Sequence, residues 1–430
     1  MEPQKTSTLT ADDPRYKKLF DVTHEVAATG GQLYGDLTPQ MGALRDQAPV
    51  MKGSLRSLLG LPPHDTYSVK REHYTLFSFK ACQYAFVENL IFSSEGYKES
   101  PGVQSLGHTI LEMVGDEHRR YRSMVQPMFL RPKAASWWKP KWIEEPVDTL
   151  LDNLHGKTSA DLNMDLCARL PMYVVSRGIG IDGKDALTFR DHLLKGSVAF
   201  RTISQEERIH SMKEVGRMLK ELITSRRAEP RDDVVSVLIQ SDFKTADGGT
   251  RKLTDEEIFA YCRLIILAGG GTTWRQLGIT LHALMTNYHF WEECRANREL
   301  IDNAINEAVR WCPTDPIFTR LVTKDIEVEG VTIPAGIRAD VCLGAANRDP
   351  SRWDHADAYD IHRPVQAHLG FASGPHQCLG MNVAKQEMLT AINGLMDRYP
   401  NMRLDGSQPK PELLGGLEQR GMSAVPVVLE

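Results

Sequence analysis

The sequence predicts a mainly α-helical fold with a small β-rich part, and three observations carry that prediction. Thr254, with Glu257 three residues on, forms a capping box that opens a helical pattern lasting to about residue 287, unusually long for a globular protein. A second long helix is expected over residues 381–396 from their composition and apolar spacing. Residues 326–333 alternate around Glu329 and Gly330, a hairpin signal, and residues 337–343 add a further strand.

Composition bounds what such a chain does. With 430 residues, 41% hydrophobic and 25% charged, it reads as globular and is long enough for two or three ordinary domains. A net charge of −5 and the lack of any Lys/Arg block argue against nucleic-acid binding. Seven widely spaced cysteines, with no CxxC pair, argue against a disulfide framework or a zinc site. The polar start has no apolar core behind it, so no secretory signal is expected. No run approaches the ~18 apolar residues of a membrane span, and a reduced, cytoplasmic protein is expected.

Residues 1–65 carry prolines at 3, 14, 39, 49, 62 and 63 and read as irregular, with short helical pieces between them. Residues 67–71 and 74–79 alternate enough to be strands, 81–92 read as a helix, and 93–107 as a loop. His118 and Arg122 share one helical face, which taken alone is a basic exposed surface. Amphipathic helical stretches fill 137–229. In the middle of the longest helix stand Gly269, Gly270 and Gly271, which cost about 1 kcal/mol each against alanine, so a close neighbour should compensate for them. Glu307 and Arg310, three apart on a helix ending before Pro313, read alone as a surface ion pair. The tail from 401 to 430 looks strand-and-turn, with Gly421 and Met422 at a turn tip.

The stretch with chemical content is Phe371-Ala-Ser-Gly374-Pro-His376-Gln-Cys378-Leu-Gly380. It places Cys378 at the start of the helix expected over 381–396, where unpaired N–H groups favour an anion and should make the thiolate, the metal-binding form, easy to hold. Gly374 and Gly380 would let the backbone run close to something flat. Taken alone, a cysteine before a helix is more often a buried structural residue. The spacing, however, resembles position for position the haem-binding loop of the cytochrome P-450 family.

That resemblance implies the cytochrome P-450 fold, a single domain over 1–430 with 1–65 packed on it as an irregular segment, and haem b between the long central helix and the Cys loop. By the same resemblance Cys378 is the iron ligand, Phe371 covers the sulfur, and His376 meets a haem propionate. His118 and Arg122, followed by Pro127 and Phe129, match the family's propionate-binding helix, and Arg320 a further propionate contact. Arg119 and Arg120 then point outward, towards an acidic electron-transfer protein. Glu307 and Arg310 match the family's Glu-x-x-Arg, with Arg363 as the later arginine and Tyr359 where phenylalanine is more usual; Glu307, Arg310 and Arg363 are structural. Thr272 matches the threonine that manages protons at the oxygen site. Gly271 departs from the pattern, since the family carries an acid there.

The implied activity is a haem-thiolate monooxygenase: one oxygen atom from O2 enters a small apolar organic substrate by hydroxylation or oxidative O- or N-dealkylation. Electrons come from NAD(P)H through a separate ferredoxin or flavodoxin with its reductase. Gly271 keeps a peroxide-driven peroxygenase open as an alternative, and a non-catalytic haem sensor is the other. The resemblance suggests a substrate pocket of Leu264, Leu267, Ala268, Ile317, Phe318, Phe200 and Met422, an apolar cavity of moderate size.

Overall fold

The central helix begins where the sequence places it. Thr254 is extended; its hydroxyl accepts the Glu257 N–H at 3.3 Å and the Glu257 carboxylate accepts the Thr254 N–H at 2.7 Å, so each residue satisfies an amide that the first turn leaves open. From there one α-helix, Asp255–Thr286, runs unbroken for 32 residues. The computed structural model describes residues 15–24, 33–64, 67–181, 183–196 and 203–430.

The glycines of this helix are explained by what packs on them. A Cβ on Gly269 would lie 2.6 Å from Val175 Cγ2, and one on Gly270 would lie 2.6 Å from Met172 Sδ. Both neighbours belong to the helix Leu170–Ile179, almost all of which is buried. The close neighbour expected from the sequence is therefore a second helix. Gly271 differs: its Cβ would meet Gln419 Oε1, at 3.2 Å, and otherwise no atom closer than Arg275 Nη1 at 3.7 Å.

The largest core cluster surrounds the central helix and includes the tryptophans Trp137, Trp138, Trp142 and Trp274. A second core lies against a five-stranded sheet. Its strands stand in the spatial order Val50–Lys52, His73–Leu76, Arg338–Cys342, Ile317–Val322 and Phe92–Ser93. Arg338–Cys342 pairs parallel with His73–Leu76 and antiparallel with Ile317–Val322, which threads the chain's first quarter into its last third. The hairpin at 326–333 forms as expected, with Glu329 and Gly330 both at positive φ (49° and 82°), the geometry that matches strand twist.

Three expectations are corrected by the fold. Residues 67–71 do not form a strand: Tyr67 lies under the Arg338 guanidinium, 3.5 Å from its ring centre, and Arg71 pairs with Glu99, so side chains hold this stretch in place. The edge strand comes instead from Val50–Lys52, inside the segment read as irregular, between the short helical pieces expected there, Thr38–Gln47 and Leu55–Leu58. The helix read at 81–92 is Phe79–Val87, because Phe92 and Ser93 are drawn into pairing with Val322 and Leu321.

Glu307 and Arg310 are not a surface pair. They are 5% and 2% exposed, bonded at 2.7 Å, and Arg363 Nε reaches the same Glu307 Oε1 at 3.0 Å. Arg310 also donates to the carbonyls of Asn347, Ala356 and Ala358, tying its helix to the loop that leads to Cys378. Tyr359 is buried there and donates its hydroxyl proton to Ala304 O at 3.1 Å, a role phenylalanine could not fill.

Gly269→Ala tests the helix contact. Alanine is the better helix former by about 1 kcal/mol, yet the branched Val175 has no free rotamer to yield. The variant should unfold with a net loss of about 1–3 kcal/mol in a denaturant titration.

Candidate functional site

Cys378 enters the structure through a tight loop. Its N–H donates to Phe371 O at 2.9 Å, which folds residues 371–378 back on themselves. Gly374 makes that possible with φ of 70°, and a Cβ there would lie 2.5 Å from Phe86 O. Glycine is needed at 374 because the loop presses on the helix Phe79–Val87, which corrects the expectation of a flat neighbour. Around a Cβ at Gly380 no protein atom lies within 4 Å, so that side of the loop is open. The helix Met381–Arg398 follows, and the N–H groups of Gly380 and Met381 reach the Cys378 sulfur.

Those N–H groups do not make the free thiol acidic. Burial is the largest influence and pushes the Cys378 pKa up, with the Gly380 N–H and then Arg122 pulling it back. The expected easy thiolate therefore needs a bound cation, since a metal deprotonates a coordinating thiol outright. Among the described residues no group of three or more His, Cys, Asp or Glu is placed to hold a metal. A metal at Cys378 must bring its remaining ligands with it, as a macrocycle does.

The sulfur nevertheless has somewhere to put such a group. Cys378 is the one exposed cysteine of the seven, although protein encloses it deeply enough for burial to dominate its pKa. Its open surface thus faces an internal cleft. The central helix has the matching feature: Ala268 is exposed and Leu264, Leu267 and Thr272 are half-buried, whereas Ile265, Ile266, Thr273 and Trp274 are buried. Burial raises the Asp315 pKa, Arg275 of the central helix pulls it back, and the Asp315 charge acts in turn on Cys378.

One end of the cleft is basic. His118, 2% exposed, stacks on His376 with ring centres 4.2 Å apart, and Nε2 of each ring is buried without a hydrogen-bond partner. Arg122 donates to Gln377 O at 2.6 Å, and Arg320 donates to the Tyr97 hydroxyl at 3.1 Å. Burial and these neighbouring cations lower His376 to about 3; burial and Arg122 lower His118 to about 4. Four basic groups turned on one another, two of them with unsatisfied ring nitrogens, make a place for carboxylates. An open sulfur on one side and an anion site beside it fit haem, whose iron takes a thiolate and whose propionates take the bases.

The comparisons with known proteins agree. The cytochrome P-450 family model matches residues 193–420. The chain belongs to that family. It is 30% identical over 395 residues to the biotin biosynthesis cytochrome P-450 of Bacillus subtilis (strain 168), covering 90% of this chain and 94% of that one. It is 31% identical to the mycinamicin IV hydroxylase/epoxidase of Micromonospora griseorubida, over 74% of this chain and 79% of the relative. Among solved structures, the Bacillus megaterium protein CYP109E1 in complex with testosterone superposes with a TM-score of 0.77 over 92% of this chain and 99% of its own, at 24% identity, and so supports the fold. This cytochrome P-450 is therefore a haem b monooxygenase, and among its described residues no helix is long and apolar enough to cross a membrane.

The remaining candidates fall in different places. Phe371 adjoins Cys378 through the loop bond, and Lys385 lies over its ring, 5.8 Å from the centre. Arg119 is at the surface, paired with Asp116, but Arg120 is half-buried with its Nε enclosed, so only Arg119 points fully outward. Ile317 and Phe318 are half-buried, and Phe318 packs edge-on against Phe86. Met422 is 4% exposed and belongs to the main core. Gly421 and Met422 are not a turn tip: they pair with Leu414 and Leu413, and the turn is at 415–420. Phe200 lies outside the described residues.

Sequence reasoning missed Tyr97, Asp315 and Gln419 at the cleft. Tyr97 sits in the loop read from 93 to 107 and meets Arg320. Gln419, from the turn, accepts from Arg275 Nη1 at 3.1 Å. None of the three belongs to a local pattern; a Gly-Gly turn at 415–416 was the only signal near Gln419.

The histidine pair gives a pH test. His118 takes a proton near pH 4 when folded but near 6.5 when unfolded, so below about pH 6.5 the unfolded chain binds more protons and folding loses stability. The melting temperature of the haem-free protein should fall between pH 7 and pH 5, and His118→Asn should flatten that fall. Haem loading should flatten it as well, because propionates against the rings favour their charged form.

Proposed function

We propose that Cys378 is the axial ligand of haem b and that this single-domain chain inserts one oxygen atom from O2 into an organic substrate bound over Ala268 and Thr272. The observation that carries this reading is the open sulfur of Cys378 beside the bases His118, Arg122 and His376. When bound, thiolate-ligated haem supplies the oxygen-activating chemistry that favours O–O cleavage.

The protein's own groups do the rest. His118, Arg122, Arg320 and His376 hold the propionates, and Tyr97 orients Arg320. The N–H groups of Gly380 and Met381, with Arg122, stabilise negative charge on the sulfur, while the bond from the Cys378 N–H to Phe371 O holds the loop that presents it. Leu264, Leu267 and Ala268 give the substrate an apolar wall, which favours C–H chemistry over water entry. Thr272 donates its hydroxyl proton to Ala268 O at 2.9 Å, so its oxygen lone pairs are left to accept a hydrogen bond from the cleft. Electrons arrive from NAD(P)H through a separate ferredoxin or flavodoxin and its reductase, with Arg119 on the exposed face of the His118 helix available to an acidic partner.

The substrate is organic and the reaction a hydroxylation, epoxidation or oxidative dealkylation, in keeping with the hydroxylase/epoxidase among the relatives. One feature favours a second oxidant, peroxide: Gly271 puts no carboxylate beside Thr272.

Two experiments test the reading. The reduced protein with carbon monoxide should show a thiolate-type band, and Cys378→Ala should abolish it; an unchanged spectrum in the variant excludes Cys378 as ligand. With a competent ferredoxin and reductase, Thr272→Ala should divert electrons to peroxide and lower product per NAD(P)H about tenfold or more, on the scale of losing one positioned proton-handling group. Peroxide that drives turnover of the unmodified enzyme faster than the electron-transfer chain would replace O2 with peroxide in the assignment.

A further inference from the structure

Arg263 of the central helix carries a charge without a partner. The residue is half-buried, and among the described residues no carboxylate, carbonyl or hydroxyl bonds to its guanidinium, which lies 5.6 Å from the centre of the Phe259 ring. Burial is the largest influence on it and pulls its pKa down; the charge of Glu256, exposed and two turns earlier, opposes that without forming an ion pair. An arginine stays protonated in such a place, so an enclosed positive charge is left to be matched.

The side chain lines a cavity of about 40 Å³, space for a small polar group. Leu193 of the helix Gly183–Gly196, and Met212 and Val215 of the helix Gln205–Ala228, make most of its wall apolar; Ser105 and His192 are its other polar groups. Neither brings a charge. The Ser105 hydroxyl donates to Gly102 O at 2.6 Å, and His192 Nδ1 lies 3.3 Å from Ser211 Oγ, with burial lowering the His192 pKa and keeping the ring neutral near pH 7. Lys195, one turn beyond His192, is already held by Asp191 at 2.9 Å and Glu207 at 3.2 Å. Met212 is exposed, so the cavity opens outward past it. Inward, Leu267 is the neighbour of Arg263 one turn along the helix and belongs to the apolar wall beside Ala268. Gly107 crosses above, where a Cβ would lie 3.8 Å from Arg263 Nη1 and 3.5 Å from Ala260 Cβ.

We infer that the substrate is a carboxylic acid with an apolar body, and that Arg263 holds its carboxylate in this cavity while the body lies along Leu267 towards Ala268. The guanidinium fork matches a carboxylate with two parallel hydrogen bonds, and the apolar wall around it leaves little water to compete. A single uncommitted cation suits a monoanion; a phosphate monoester, with close to two charges, would leave one of them unmatched beside Glu207 and Asp191. Thr272 stands nine residues beyond Arg263, about 13 Å along the helix axis, so oxygen enters the substrate far from its acid end. The substrate class is therefore narrower than the small apolar molecules expected from the sequence. This inference rests on the reading of the Cys378 cleft as the place of oxidation.

The test takes a panel of straight-chain, terpenoid and steroid carboxylic acids, each with its methyl ester, and measures binding to the haem-loaded protein by the haem spin-state shift and by calorimetry. The best acids should bind more tightly than their esters, on the order of tenfold or more. Arg263→Gln should bring acid and ester level, and Arg263→Lys, which keeps the charge but not the fork, should retain a smaller preference. The carbon monoxide band of each variant reports that the haem site is intact. With a ferredoxin and reductase, the products of a bound acid should carry their new oxygen away from the carboxyl group. No acid preferred over its ester, a preference that survives Arg263→Gln, or oxidation at the carbon next to the carboxyl group overturns the inference. A missing thiolate band in the unmodified protein overturns the Cys378 assignment instead, and the calorimetric preference for acids still decides the role of Arg263.

Discussion

Four bases turned towards one another are the constraint on which the rest of the site depends. His118 comes from the helix Gly115–Phe129, as does Arg122; Arg320 comes from the strand Ile317–Val322, and His376 from the Cys loop. Folding brings them together against mutual repulsion and burial, which together hold both imidazoles neutral. The arrangement is stable only because stronger interactions fix each element: the buried Glu307, Arg310 and Arg363 trio behind the Cys loop, and the five-stranded sheet behind Arg320. A bound dianion turns the same repulsion into attraction, so the energy that haem gains at its propionate end was set aside when the chain folded.

The opposite wall is governed by backbone approach. Gly269 and Gly270 let the helix Leu170–Ile179 pack directly on the central helix, on the side away from Ala268. That contact fixes which face of the central helix turns to the cleft. Residues 264, 267, 268, 271, 272 and 275 recur at spacings of three and four along that face, and it passes from apolar side chains through Thr272 to the polar group at Arg275.

The sequence made the fold legible wherever the signal was local. The capping box at Thr254, the Glu329-Gly330 hairpin and the helix after Cys378 each depend on residues within a turn or two of one another, and all three appear. Spacing also brought out the Cys loop, the Glu307 and Arg310 pair and the basic helix face, because a family resemblance is itself a pattern in the chain. What failed was non-local. Residues 67–71 alternate like a strand, yet Arg338 and Glu99, hundreds and tens of residues away, claim their side chains. The thiol of Cys378 was expected to be acidic from its helix terminus alone, and burial, which no spacing records, outweighs it. Tyr97 meets Arg320 and Gln419 meets Arg275 across 223 and 144 residues of chain, contacts that exist only in three dimensions.

Gly271 shows how one departure from a pattern is bound up with others. Its missing side chain leaves room for Gln419, whose carbonyl oxygen would stand 3.2 Å from a Cβ there. Arg275, one turn further along, uses the bare Gly271 carbonyl and Gln419 as two acceptors of the same nitrogen. An acid at 271 would therefore displace Gln419 and offer Arg275 a competing partner. Gly271 is thus the space that lets Arg275 be held by a backbone carbonyl and the Gln419 amide together, where a side chain at 271 would claim one of those places.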